Sequence, residues 1–105
     1  MVAETEDRQN RPPPVILKFY VAGDGGFTRQ AVANLDNLVA LLPQEIEVIQ
    51  EIIDVTQNPA VALELGIFST PTLIVSSAKQ NLRFVGDLSD ARKVIRIIAP
   101  ESDRA

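Results

Sequence analysis

The 105-residue sequence predicts an α/β fold, in which a mixed central sheet carries helices on both faces. Short runs rich in Val, Ile and Phe, which are typical of strands, alternate with longer segments whose apolar residues recur every three or four positions, the period of a helix. Only a short turn separates the last two strand-like runs, which predicts an antiparallel hairpin. Hydrophobic residues make up 46% of the chain, enough to supply one core.

The first half of the chain predicts a strand, a helix and a second strand. Residues 15–22 (VILKFYVA) are almost continuously apolar, as in a strand covered on both faces. From Phe27 to Leu42 the apolar residues fall at helical steps, and Pro43 ends the predicted helix. Residues 46–55 (IEVIQEIIDV) fit a helix or a strand, and the dominance of Ile and Val favours a strand.

The next elements are a short helix and the hairpin. Asn58 and Pro59 are typical of a helix start, because Asn caps free backbone N–H groups and Pro fits the first helical position. Gly66 is a typical helix end. Residues 72–76 and 82–85 predict the two strands of the hairpin.

A last helix completes the domain. Asp87 is predicted to cap it, and Asp90 to lie in its first turn, where a negative charge is favourable. Its buried side is predicted to consist of Leu88, Ala91, Val94, Ile95 and Ile98. The resulting order, βαβαββα, is that of a thioredoxin-like fold. In that fold a cis X-Pro bond often precedes the third strand, so Thr70-Pro71 is a candidate for a cis bond, although the sequence does not decide between cis and trans.

Two polar tails are predicted to flank one domain at residues 15–98. Residues 1–14 are charged and end in three prolines, so they are predicted to be disordered, and residues 99–105 form a second short tail. The N-terminal segment has neither an apolar signal core nor the composition of a transit peptide, and no apolar run is long enough to span a membrane. We therefore expect a cytoplasmic protein.

Composition excludes several classes of function. The chain contains no Cys and no His, so thiol redox chemistry and the usual zinc sites are not expected. Its net charge of −4 disfavours nucleic acids and anionic membranes as partners. No catalytic residue, cofactor or metal is predicted.

The glycine-rich loop at residues 22–28 has the strand–loop–helix layout of phosphate sites. A P-loop would require a Lys after the glycines, and the Rossmann pattern meets Thr28 where its third Gly belongs. Asp24 would also repel phosphate. The favoured interpretation is a tight reversal of the chain. A redox-active thioredoxin carries C-x-x-C in this loop, whereas this chain has D-G-G-F.

Three carboxylates are candidates for an acid–base pair, and Tyr20 is a candidate for stacking on a ligand. Asp54 ends a strand, while Asp87 and Asp90 have helix-terminal roles, so an acid–base pair among them is not favoured. Tyr20, the only Tyr, is predicted to be a core or interface residue.

Five segments in this order resemble the KaiB family, small circadian clock proteins of cyanobacteria with relatives in other bacteria. They are LKFYVAG (17–23), IDV (53–55), NP (58–59), STPTLIV (69–75) and FVGDLSD (84–90). The resemblance covers residues 15–98. It implies a non-catalytic adaptor that binds the ring-shaped ATPase KaiC and helps to capture KaiA or to engage an output histidine kinase.

The resemblance also implies a change of fold. Members of the family rearrange their C-terminal half between a tetrameric ground state and a monomeric thioredoxin-like state, so a dimer or a tetramer is compatible with it. The residues that it marks as candidates for partner binding or switching are Tyr20, Gly23, Asp54, Asn58, Pro59, Pro71, Gly86, Asp87 and Asp90.

The sequence departs from the family pattern in two places. The family usually has P-P-x-x-R-R before I-I-G-D-L-S, whereas this chain lacks those prolines and keeps only Arg83. The glycine pair after Asp24 is also unusual. These departures indicate a divergent relative and put a rhythmic role in question. The alternatives are a stand-alone thioredoxin-like binding domain in stress response and a Cys-less thioredoxin-like enzyme.

Charge is unevenly distributed along the chain, and such asymmetry can orient a partner. Acidic residues gather around the predicted second strand. The basic residues of the last third are Lys79, Arg83, Arg92, Lys93 and Arg96.

Overall fold

A computed structural model describes residues 13–99 and confirms the predicted fold class and element order. Most of both predicted tails, residues 1–12 and 100–105, lies outside the described residues. The ambiguous segment 46–55 contains a strand. The elements are β1 (Val15–Val21), α1 (Gly26–Leu41), β2 (Val48–Asp54), α2 (Pro59–Leu65), β3 (Thr72–Ser76), β4 (Asn81–Val85) and α3 (Ala91–Ile98).

The four strands form one mixed sheet in the order β2-β1-β3-β4. β1 runs parallel to β2, with Val15 opposite Val48, and antiparallel to β3, with Phe19 opposite Leu73. β3 and β4 form the predicted antiparallel hairpin. β1 is therefore hydrogen-bonded on both sides, which suits its nearly continuous apolar sequence.

One face of the sheet carries the core. Leu17 and Phe19 of β1 are fully buried, as are Leu35 and Leu38 of α1. α1 and α3 contact each other over this face. Ala99, which the sequence places at the start of the C-terminal tail, also belongs to this core.

The opposite face is covered much less. Leu82 and Phe84 pack against the core, so Arg83 between them points to the other face. The Arg83 guanidinium donates hydrogen bonds to the carbonyl oxygens of Leu65 (2.8 Å) and Gly66 (3.2 Å), which places the C-terminal end of α2 on that face. No residue of α2 is buried. The two faces thus both carry helices, but only one is tightly packed.

The start of the last helix differs from the prediction. Asp90 is the N-cap of α3, and its Oδ1 accepts a hydrogen bond from the Lys93 N–H at 3.2 Å. Asp87 accepts instead from the Ser89 N–H at 3.0 Å. The physical reason is Leu88, whose φ of 62° is left-handed and interrupts the helix. Leu88 is buried as predicted, but it lies before the helix.

None of the helices in the described part of the chain is long and apolar enough to cross a lipid bilayer.

We predict that Leu35→Ala lowers the free energy of unfolding by about 2–5 kcal/mol, because it leaves a cavity in the core. Leu63→Ala is the matched control, since Leu63 is 82% exposed, and a change within about 0.5 kcal/mol is expected. Urea denaturation followed by circular dichroism measures both. Equal effects of the two substitutions would contradict the described core.

Candidate functional site

Asp54 connects the two loops at the carboxyl ends of β1 and β2. Its Oδ1 accepts hydrogen bonds from the Gly23 N–H at 2.9 Å, from the Thr56 N–H at 2.9 Å and from the Thr56 hydroxyl at 2.7 Å. Gly23 has a φ of 75°, a conformation that glycine adopts readily and other residues rarely do. The carboxylate therefore holds the glycine-rich loop against the loop that leads to α2.

The hydrogen bonds also set the charge state of Asp54. The bond from the Gly23 N–H, followed by those from the Thr56 hydroxyl and N–H, lowers the pKa of the carboxyl below its ordinary value, while desolvation acts weakly in the opposite direction. A carboxylate held anionic by three donors is suited to organising a loop and poorly suited to act as a general acid.

Asn58 and Pro59 lie directly beside this network. Asn58 occupies the N-cap position of α2 and Pro59 the first turn, as predicted. The side chain of Asn58 makes no capping hydrogen bond, however. Its Nδ2 donates to the carbonyl oxygen of Asp54 at 3.2 Å, because the tight turn after β2 brings that oxygen within reach. Asn58 thus extends the loop network and does not satisfy the helix N–H groups.

Tyr20 lines a shallow groove of about 340 Å³ on the less covered face, together with Asp54 and Asn58. Its side chain is only 4% exposed, in agreement with its predicted core or interface position. Burial is the main reason that the pKa of the phenol is raised; the Glu51 carboxylate raises it further, and Arg83 lowers it in part. Tyr20, Gly23, Asp54, Asn58 and Pro59 therefore form one site, which we call the Asp54 network.

The remaining predicted site residues lie around the start of β3 and the end of β4. The Thr70–Pro71 bond, whose isomer the sequence left open, is cis. The Gly86 N–H donates to the carbonyl oxygen of Pro71 at 2.9 Å. The carbonyl oxygen of Asp87 accepts from Asn34 of α1 at 2.8 Å. These contacts join β4, the cis-proline turn and α1.

The structure does not bring the carboxylate of Asp54 close to those of Asp87 and Asp90. Asp54 ends one edge strand of the sheet and Asp87 follows the other edge strand, and these two strands are three spacings, about 14 Å, apart. Asp87 and Asp90 each accept a backbone N–H. Among residues 13–99 no group of three or more Asp, Glu, Cys or His side chains could hold a metal ion.

The glycine-rich loop is closed by its own hydrogen bonds. Arg29 donates to the carbonyl oxygen of Asp24 at 2.8 Å, and the Thr28 hydroxyl donates to that of Ala22 at 3.0 Å. Phe27, predicted to lie on the apolar face of α1, is 64% exposed. It stands in the first turn of the helix, where it lines a small cavity of about 150 Å³ beside Pro71 and does not pack over the sheet.

Sequence reasoning missed two features of the site. The first is the role of Arg83 in holding α2, because nothing in the local pattern relates it to carbonyl groups 17 and 18 residues earlier. The second is the exposed apolar surface that Phe68 (95% exposed) and Leu63 (82% exposed) create. An aromatic residue between the helix end at Gly66 and the S-T-P segment, outside every predicted element, was a signal that could have identified Phe68 as exposed.

Solved structures resemble this fold closely despite low sequence identity. The N-terminal domain of SasA from Synechococcus elongatus matches with a TM-score of 0.69 at 19% identity, covering 83% of this chain and 85% of that one. Chloroplastic thioredoxin z matches with a TM-score of 0.65 at 19% identity, covering 99% and 89%. The fold and the Cys-less loop define a thioredoxin-like domain that lacks the redox-active cysteines.

Sequence comparison identifies the family within that class. The KaiB domain model matches residues 18–100. The circadian clock oscillator protein KaiB of Gloeothece citriformis is 39% identical over 82 residues, covering 76% of this chain and 74% of that protein. That of Synechococcus elongatus is 39% identical over 80 residues, covering 76% and 78%. The chain belongs to the KaiB family.

We predict that Asp54→Asn destabilises the fold at pH 7 and that the difference from wild type narrows in acid. A lowered pKa stabilises the folded state fully above the ordinary Asp value of about 3.9, and this contribution is lost as pH falls through the lower folded value. Urea midpoints of both proteins from pH 7 down to about pH 2.5 measure the difference. Asp36→Asn, at an exposed position on α1, is the control. A difference that stays constant over this range would contradict the role of the charge.

We predict that Arg83→Met loosens α2 without unfolding the sheet. The Met side chain keeps the apolar stem but donates no hydrogen bond to Leu65 or Gly66. Amide hydrogen exchange in α2 should accelerate at least about fivefold, while exchange in β1 is unchanged. Lys79→Met, in the hairpin turn, should leave both unchanged. Equal acceleration in α2 and β1 would show a global effect instead.

Proposed function

We propose that this chain is a non-catalytic KaiB-type adaptor that binds a KaiC-type ATPase and regulates a circadian clock or another timing complex. The observation that carries the proposal is the family match, which spans residues 18–100 and hence nearly all of the described domain. The matched relatives are circadian clock oscillator proteins. A chain of this family without Cys or His has little means for chemistry of its own, and this supports a binding role.

The surface of the domain also supports a binding role. Phe27, Leu63, Phe68 and Val85 are all more than 60% exposed, so large apolar side chains remain uncovered in a small domain. Exposed apolar groups of this kind are typical of protein–protein contact sites. The carboxylates of Asp54, Asp87 and Asp90, by contrast, already accept backbone hydrogen bonds.

We further propose that the described arrangement is the binding-competent one. The less covered face and the absence of buried residues in α2 leave that helix weakly held, which is compatible with a second packing of the C-terminal half. KaiA-like proteins and histidine kinases are the further partners that the family resemblance suggests. We expect these complexes to form in the cytoplasm.

Size-exclusion chromatography with light scattering tests the proposal. The protein is incubated for up to a day with the KaiC-family ATPase of the same organism and ATP, which allows for slow refolding. Co-elution in a ring-sized complex is expected, and a Cys-less thioredoxin of similar size serves as the control that should not co-elute. The mass of the protein alone reports whether it rests as a monomer, a dimer or a tetramer.

The absence of co-elution after this incubation would reject the ATPase as the partner. It would favour the alternative of a stand-alone thioredoxin-like binding domain, which the departure from the family pattern before Gly86 suggests.

A further inference from the structure

A groove of about 350 Å³ lies between β4 and α3, apart from the Asp54 network. Phe84, Leu88 and Val94 contribute to its lining and are partly or fully buried. Val85 (65% exposed) and Ile97 (43% exposed) also line it and stay open to solvent. The groove therefore offers an apolar surface large enough for one or two side chains of a partner.

Basic side chains border this groove. Lys93 lines it, and Arg92 and Arg96 lie on the same exposed side of α3 because residues three and four apart share a helix face. Within residues 13–99 none of these three side chains forms a hydrogen bond or an ion pair. A protein with a net charge of −4 thus presents unpaired cations beside an open apolar groove.

The groove also carries two carboxylates, Asp87 and Asp90, which the three cations of α3 outnumber. Asp87 Oδ1 accepts from the Ser89 N–H, and Asp90 Oδ1 accepts from the Lys93 N–H. Both carboxylates therefore organise the turn before α3 and leave the Lys93 ammonium group available. Charge complementarity then favours an anionic partner with an apolar anchor.

The same features distinguish an acidic polypeptide from a nucleic acid. Single-stranded nucleic acids bind through bases that stack on exposed aromatic rings, whereas the one aromatic residue that lines this groove, Phe84, is half-buried and offers no stacking platform. An acidic peptide can place its carboxylates beside Lys93 and Arg96 and an apolar side chain in the groove beside Ile97.

We propose that the β4–α3 groove is a docking site for an acidic segment of a partner protein, with an apolar side chain as its anchor. If the acidic segment belongs to the KaiC-type ATPase, this inference rests on the function proposed above. The groove itself can be tested without the ATPase.

The first experiment uses a hexapeptide probe with two central apolar residues, Leu and Phe, flanked by two Glu residues on each side. Titration into the ¹⁵N-labelled full chain should shift backbone amides between residues 83 and 97. The affinity should fall as NaCl is raised from about 50 to about 500 mM, because exposed charges are screened. A probe with Ser in place of each Glu should bind more weakly.

Two double variants of equal charge change locate the interaction. Lys93→Glu with Arg96→Gln should weaken probe binding about tenfold. Lys79→Glu with Lys18→Gln alters charges in the hairpin turn and on the opposite sheet face, and binding should stay within about twofold. An equal loss of probe affinity in both double variants would overturn the proposal. So would amide shifts centred on the groove beside Tyr20.

Other occupants give different results. A twelve-residue oligothymidylate that shifts the same amides as strongly would indicate unspecific anion binding and overturn the proposal. A chain truncated after Ala99 provides a further test. If its amides at residues 83–97 shift strongly relative to those of the full chain without any probe, the chain's own C-terminal segment is the occupant, and the proposal is overturned. A mass that doubles with concentration in the wild type but not in the Lys93 variant would assign the groove to a second copy.

The two proposals fail separately. If the ATPase binds wild type and the Lys93 variant equally, the adaptor function stands and the groove is not its contact. If the peptide binds in the groove and the ATPase does not bind at all, the docking site stands and the adaptor function fails. Co-elution of the ATPase with wild type and about tenfold weaker binding of the variant would support both.

Discussion

The packing of one side of β1 against α1 is the interaction on which the rest of the structure depends. Leu17 and Phe19 are fully buried there against a helix face that contributes Leu35 and Leu38. Because side chains alternate along a strand, burying this side directs Lys18 and Tyr20 to the opposite face. β1 also pairs with β2 and β3, so its position determines the register of the whole sheet.

This arrangement leaves the two faces of the domain unequal. α1 and α3 contact each other over the core, whereas α2 buries none of its residues and is held at its ends by Asn58 and Arg83. Few apolar contacts and exposed hydrogen bonds characterise the least stable parts of a fold. Local opening of the domain should therefore begin at α2.

The aspartates that are candidate catalytic residues in the sequence have structural roles in the fold. Asp54 connects two loops, Asp90 caps α3, and Asp87 organises the turn before it. The loop that holds the reactive cysteines in a redox-active thioredoxin is closed here by Thr28 and Arg29. The chain thus shares the thioredoxin scaffold but lacks its redox-active cysteines, and it belongs to the KaiB family.

The sequence by itself determined the order and type of the elements, because periodicity, proline and glycine are local signals. It placed β1, the break at Pro43 and the start of α2 at Pro59 nearly where the structure has them. It also determined the absence of thiol and imidazole chemistry. Only the tertiary structure showed that Asp90 and not Asp87 caps α3, because the left-handed backbone of Leu88 is not evident from the local sequence. Only the packed fold brought Arg83 to the end of α2, exposed Phe27 and opened the groove beside Lys93, since these depend on strand pairings between distant residues.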